Sequence, residues 1–180
     1  VYYTGVKKVP ALLTYAPEDT AELGRKLGGL LLAGDLICLI GELGAGKTSF
    51  AQGVARGLGV EGQVRSPSFT LIHEYYGRLP LYHLDLYRLN DPSELEDLGY
   101  EEYFYGDGVA LVEWADRVRE VLPEERLDIY IDRLAEDEDC RKLKLAPRGE
   151  RYRRLVEELM DVACAGNRNC DTGCFGSRGI

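Results

Sequence analysis

Apolar residues fall into short unbroken runs, separated by stretches where they recur every three or four positions; this alternation predicts buried strands interleaved with covering helices. Leu36–Ile40 is such a run and reads as a buried strand, and residues 109–112 form a second one, ended by Glu113. Residues 11–15 predict an earlier strand. Pro17-Glu18-Asp19-Thr20 then opens a helix whose Leu23, Leu27, Leu30 and Leu31 share one face, and Gly34-Asp35 turns it back. Residues 49–58 predict a helix that stops near Gly57 to Gly59. From Val64 the chain reads as extended through Tyr75 and Tyr76, with Gly77 at a hairpin turn, and residues 81–87 form the returning strand.

Asp91-Pro92-Ser93 opens a short helix with Glu94, Glu96 and Asp97 in its first turns, where acids suit the helix dipole. Residues 127–131 and 142–145 predict two later strands, and residues 152–162 a final helix with Leu155, Val156 and Leu159 facing inward. The sum is an α/β chain: three layers, a mostly parallel central sheet and an inserted antiparallel hairpin.

Chemistry enters between the first buried strand and the helix after it. Gly41-Glu42-Leu43-Gly44-Ala45-Gly46-Lys47-Thr48 satisfies G-x-x-x-x-G-K-[ST] in full, with Ser49 following as the helix begins. Glycines let the backbone wrap a phosphate chain, and the helix N-terminus points N–H groups at the anion. Lys47 is expected to bridge the β- and γ-phosphates, and the Thr48 hydroxyl to ligate the Mg²⁺ that accompanies a nucleoside triphosphate. The pattern therefore predicts a P-loop NTPase fold.

Two apolar strands end in acids, Asp85 and Glu113. In open α/β sheets ligands gather at the carboxyl ends of strands, the edge where the phosphate loop opens. Asp85 and Glu113 are thus the candidate carboxylates for Mg²⁺ and for orienting an attacking water. Taken singly, each could also be a plain surface acid.

A length of 180 residues suits one domain: residues 1–163 are read as a P-loop ATPase domain and 164–180 as a flexible tail rich in Cys, Gly and Asn. The net charge of −9 and pI near 4.8 argue against a surface that itself grips a nucleic-acid backbone. Glu136-Asp137-Glu138-Asp139 reads as a solvated turn. Of the five cysteines, Cys38 lies in the buried strand and reads as inert core, while Cys164, Cys170 and Cys174 have spacings that match no common zinc pattern. Neither a secretory apolar segment nor a stretch long enough to span a bilayer is visible, so a cytoplasmic location is expected.

Further segments follow the loop in order: Ser66-Pro67-Ser68-Phe69-Thr70-Leu71, Glu74-Tyr75, His83-Leu84-Asp85-Leu86-Tyr87-Arg88-Leu89, Glu94-Leu95 through Leu98-Gly99, and Val112-Glu113-Trp114. With this set the chain resembles the TsaE (YjeE) family of small bacterial ATPases needed for threonylcarbamoyl-adenosine modification of tRNA. The resemblance implies ATP hydrolysis in concert with TsaD and TsaB, sustaining turnover of the threonylcarbamoyl transfer, with tRNA reached only indirectly and no role for DNA or membrane. It implies that Asp85 helps hold Mg²⁺, that Glu113 is the Walker B-like carboxylate that positions water and also counts among the metal residues, that residues 66–70 form a switch near the γ-phosphate, and that Trp114 lies beside the site. The chain departs from the family where Ser68 replaces the usual Thr and where Ala115-Asp116 follow Glu-Trp in place of Pro-Glu.

Plainer readings stand beside these. His83, alternating with apolar neighbours, has the pattern of a structural histidine more than of a catalytic base. Arg88 is either a stabiliser of transition-state charge or a structural ion-pair partner. Tyr82 and Tyr87 read as ordinary strand aromatics, and Phe69 as an anchor for the switch. No guanine-reading Asn-Lys-x-Asp or Thr-Lys-x-Asp occurs, which favours ATP. Two alternatives share the loop: a small-metabolite kinase with a lid built from Arg117, Arg119 and Arg126, and a nucleotide-gated binding module with little intrinsic hydrolysis.

Overall fold

The computed structural model describes residues 9–67, 70–89, 93–96, 98–134 and 137–164. The readings made for Ser68, Phe69, Asp91, Pro92, Asp97, Glu136, Cys170 and Cys174 lie outside the described residues.

Among the described residues seven strands form one sheet: β1 (Ala11–Thr14), β2 (Leu36–Ile40), β3 (Ile72–Tyr76), β4 (Pro80–Asp85), β5 (Val109–Glu113), β6 (Arg126–Leu134) and β7 (Asp137–Arg148), in spatial order β1-β7-β6-β2-β5-β4-β3. The helices are α1 (Pro17–Leu30), α2 (Lys47–Gly57), α3 (Ser93–Glu96), α4 (Tyr100–Phe104) and α5 (Glu150–Cys164), with a 3₁₀ turn at Ala115–Val118. The Leu36–Ile40 strand is found as read from its apolar run, whereas α2 begins at Lys47, two residues before the sequence pattern placed it.

The sheet is mixed, which corrects the expectation of a mostly parallel one. β6, β2, β5 and β4 run parallel at the centre, while β3–β4, β6–β7 and β1–β7 are antiparallel. Strands joined by a short turn must reverse direction, since a parallel return needs a crossover of a dozen residues or more. One such hairpin, around Gly77, was legible; the second, β6–β7, was not. Its strands are longer than their apolar centres, and Asp137 to Asp139, read as part of a solvated turn, open β7.

Helices cover both faces. α1, α2 and α5 bury Leu23, Leu27, Phe50, Val54, Leu155 and Leu159 against Ile37, Leu39, Leu111, Ile129 and Leu143. Each such buried side chain contributes about 1.5–3 kcal/mol. On the other face Leu95 of α3, Phe104 of α4 and Val118 pack on Leu36, Cys38, Leu84 and Val112. Burial raises the Cys38 thiol pKa, with the Asp128 carboxylate adding to the effect, so the inert-core reading of that cysteine fits.

α1 and α2 meet closely. A Cβ on Gly53 would stand 1.9 Å from the Ala21 carbonyl oxygen, and one on Gly28 would stand 2.3 Å from that of Val54. Only glycine lets the two backbones approach this far. α2 begins at the glycine loop, so this contact anchors the loop to the first helix.

At the opposite end of the sheet, the Tyr152 hydroxyl accepts the Leu36 N–H at 2.7 Å and Arg151 pairs with Asp35 at 2.7 Å, fixing α5 to the start of β2. Cys164 is the last residue of α5 rather than the first of a tail. No helix among the described residues is long and apolar enough to cross a membrane.

Candidate functional site

β2, β4 and β5 are parallel, so their carboxyl ends share one edge of the sheet, and three chemistry-bearing segments meet there: the glycine loop after β2, Asp85 at the end of β4 and Glu113 at the end of β5. Asp85 and Glu113 are direct cross-strand partners, with Leu39 beside Glu113 on the other flank. They border a cavity of about 310 Å³ together with Gly46, Lys47, Thr48 and Ser66.

The loop turns into α2 through Gly46, at φ 107°, and passes Gly44 at φ 73°. Side-chain-bearing residues rarely adopt such conformations. Leu43, at the outside of the turn, is 71% exposed, while Ala45 is buried.

The outer wall of the loop is held by two arginines from the β6–β7 hairpin. Arg133 donates to the Gly44 carbonyl through Nε (3.0 Å) and Nη2 (2.8 Å), and Arg141 Nε donates to the Ala45 carbonyl at 2.8 Å. These bonds tie two of the loop's carbonyls to the hairpin, while the Ala45 N–H closes a turn inside the loop on the Glu42 carbonyl at 3.1 Å. Sequence reasoning missed both residues, and nothing near them in the chain marks them, since their partners are backbone atoms about ninety positions away.

Each oxygen of the two carboxylates is engaged. Glu113 Oε2 accepts the Thr48 hydroxyl at 3.1 Å, and Oε1 lies 2.9 Å from His83 Nε2. Asp85 Oδ1 accepts the Tyr87 N–H at 3.0 Å, and Oδ2 accepts the Ser66 hydroxyl. Asp85 and Glu113 are 3% and 2% exposed. Two neighbouring carboxylates withdrawn from water call for positive charge nearby.

Lys47 supplies part of that charge. Its ammonium donates to the carbonyls of Gly41 (2.7 Å) and Glu42 (2.8 Å) and lies 3.7 Å from the centroid of the Trp114 ring. Burial lowers its pKa from the ordinary 10.5, against the opposing pull of Glu113, Asp85 and Asp116. Trp114 has φ 61°, in the left-handed region, at a cost of about 1–3 kcal/mol for a non-glycine residue. That conformation at the end of β5 turns the indole over Lys47, so Trp114 does lie beside the site.

Tyr87, read as a strand aromatic, lies past the end of β4 and lines the cavity, its ring 4.9 Å from that of Trp114. Ser66, at the start of the segment read as a switch, reaches the cavity through Asp85. Arg88 is exposed and is not part of the cavity wall. Of the arginines considered for a kinase lid, Arg126 begins β6 at the far edge of the sheet and pairs with Asp128 at 2.7 Å. Arg117 donates to the Leu89 carbonyl at 2.9 Å. Arg126 is thereby committed away from the cavity, whereas the Arg117 guanidinium lies 5.6 Å and 5.8 Å from the centroids of the Tyr87 and Trp114 rings that line it.

The donor set of Thr48, Asp85 and Glu113 is all oxygen, the chemistry of a hard cation such as Mg²⁺. A Thr48 hydroxyl that donates its proton to Glu113 keeps its lone pairs for a metal. Among the described residues no group of three or more His, Cys, Asp or Glu side chains forms a cage. Mg²⁺ characteristically needs only one or two carboxylates when phosphates and water complete its shell, so these residues fit it.

A glycine loop thus joins a buried parallel strand to a helix N-terminus and is faced by two buried carboxylates, on a mixed α/β sheet covered by helices. The family model described as "Threonylcarbamoyl adenosine biosynthesis protein TsaE" matches residues 14–143. The chain belongs to the TsaE family. A Bacillus subtilis protein named tRNA threonylcarbamoyladenosine biosynthesis protein TsaE is 50% identical over 147 residues, covering 81% of this chain and 90% of the relative. The Haemophilus influenzae protein of the same name is 38% identical over 144 residues, covering 75% and 89%. The crystal structure of Bacillus subtilis YdiB superposes with a TM-score of 0.75 at 43% identity, covering 86% of this chain and 96% of that one.

Proposed function

We propose that this protein is a magnesium-dependent ATPase that serves threonylcarbamoyladenosine formation on tRNA, acting with TsaD and TsaB to sustain turnover. The names of its relatives support the pathway. The observation that carries the chemistry is the convergence of Lys47, Thr48, Asp85 and Glu113 on one cavity at the N-terminus of α2.

Bound with the triphosphate, Mg²⁺ would offset charge on the β- and γ-oxygens. Thr48 and Asp85 offer it oxygen atoms, and the loop N–H groups at the start of α2 hold the phosphates. Lys47 exchanges its bonds to the Gly41 and Glu42 carbonyls for phosphate oxygens. Glu113, held by Thr48 on one oxygen, orients the attacking water near the γ-phosphate. ATP is favoured over GTP by the absence of a guanine-reading motif. An acidic chain at net charge −9 works on protein partners more readily than on the RNA backbone.

Because Lys47 must give up two loop carbonyls and a position against Trp114, slow hydrolysis by the isolated protein is expected, with faster turnover in the partner complex. The test is threonylcarbamoyl transfer reconstituted under multiple-turnover conditions with and without this protein, with ATP hydrolysis followed in parallel. Unchanged transfer would remove the pathway assignment; stoichiometric phosphorylation of a metabolite would replace the ATPase with a kinase.

A further inference from the structure

His83 has no part in the chemistry above, yet it touches the carboxylate that the chemistry depends on. Its side chain is 0% exposed and it does not line the cavity, so neither ring nitrogen can reach a nucleotide or a water attacking one. That removes it as a general base, which must come within hydrogen-bond reach of the proton it takes.

Nε2 lies 2.9 Å from Glu113 Oε1, while Nδ1 is buried and has no hydrogen-bond partner among the described residues. A proton on Nδ1 would be a buried donor without an acceptor, whereas one on Nε2 has a carboxylate to meet. The proton therefore resides on Nε2, and His83 donates to Glu113. The strand register makes this contact possible. His83 is the cross-strand partner of Leu111, which puts it on the same sheet face as Glu113 two residues further on.

The terminal torsion of a glutamate is soft and does not fix the carboxylate plane by itself. Here the plane is pinned from both sides, by His83 on Oε1 and Thr48 on Oε2. We propose that His83 is a positioning residue that sets the orientation of Glu113, so that one oxygen serves Thr48 while the carboxylate faces the cavity. This rests on the ATPase reading for its kinetic consequence but not for the hydrogen bond itself.

The test compares wild type, His83→Leu, His83→Gln, Glu113→Gln and the double variant His83→Leu/Glu113→Gln in Mg-ATP hydrolysis. His83→Leu is expected to lower kcat by about 10–100-fold, the usual cost of losing an outer hydrogen bond to a catalytic group, with KM little changed. His83→Gln, whose amide N–H can also donate to Glu113, is expected to recover most of that loss. The double variant is expected to be no slower than Glu113→Gln alone, because a residue that acts through Glu113 has nothing left to orient.

Wild-type kcat in His83→Leu overturns the proposal, as does His83→Gln being as slow as His83→Leu, or full additivity in the double variant. Should His83→Leu fail to fold, ¹⁵N NMR of histidine-labelled wild type decides: a proton on Nε2 supports the proposal and a proton on Nδ1 overturns it. That spectrum also separates the two readings. Absence of ATP hydrolysis in wild type, alone and with its partners, would sink the ATPase assignment, while the tautomer would still test the His83–Glu113 bond.

Discussion

The Lys47 ammonium lies 3.7 Å from the centroid of the Trp114 ring, and Trp114 is the sole tryptophan of the chain. The indole therefore reports on Lys47. Titration with Mg-ATP is expected to change tryptophan emission saturably as Lys47 leaves the ring for phosphate, and Lys47→Ala is expected to remove most of that change. Unaltered emission while calorimetry records binding would show that Lys47 stays where it is.

Lys47 and Glu113 are expected to divide binding from hydrolysis. Lys47→Ala removes a charge-assisted contact and is expected to weaken triphosphate affinity by about 10–100-fold. Glu113→Ala is expected to slow single-turnover hydrolysis by about 10²–10⁴-fold with a smaller effect on affinity. Binding titrations beside single-turnover rates separate the two, and normal hydrolysis by Glu113→Ala would remove Glu113 from the mechanism.

Burial lowers the Lys47 pKa beneath 10.5 in the folded protein, and the approach of a polyanion raises it again. Triphosphate affinity is therefore expected to fall as pH rises through the lowered value, with proton uptake on binding in that range. Stability runs the other way. Between the lowered pKa and 10.5 the unfolded chain holds the proton that the folded chain has released, so the Lys47 contribution to stability rises with pH. Calorimetry in buffers of differing ionisation enthalpy measures the uptake; proton release on binding would contradict the assignment.

Gly53→Ala places a methyl 1.9 Å from the Ala21 carbonyl, a backbone atom that cannot step aside. The forced separation of α1 and α2 is expected to cost about 1–3 kcal/mol, at about 2–4 °C in Tm per kcal/mol for a chain of this size. Nucleotide affinity should also fall, because α2 carries the loop. Gly29→Ala, on the same α1 helix but with open space around the new methyl, is the control expected to lower neither.

Much of the site was legible because its parts are contiguous in the chain. The glycine loop, the buried strand before it and the acids closing two apolar runs are local patterns. The parallel β2–β5–β4 centre brings them to one edge, as the strand-end argument requires. What escaped was set by contacts between distant segments. Arg133 and Arg141 look like ordinary strand arginines until the β6–β7 hairpin lays them on the loop carbonyls. Tyr87 gains its place by stacking near Trp114. The five-residue helix α4 was not predicted, since so short a helix carries too few turns for a periodicity to show.

The sequence by itself determined the glycine-loop motif, the buried strands and the pair of acids, because each depends on residue types at fixed spacing within one segment. Only the tertiary structure decided that half of the strand pairings are antiparallel, that His83 serves Glu113 rather than the cavity, and that two helices touch through glycines. Those outcomes depend on register and close approach between segments far apart in the chain. A hydrophobic pattern indicates which residues are buried, but not which neighbours meet them.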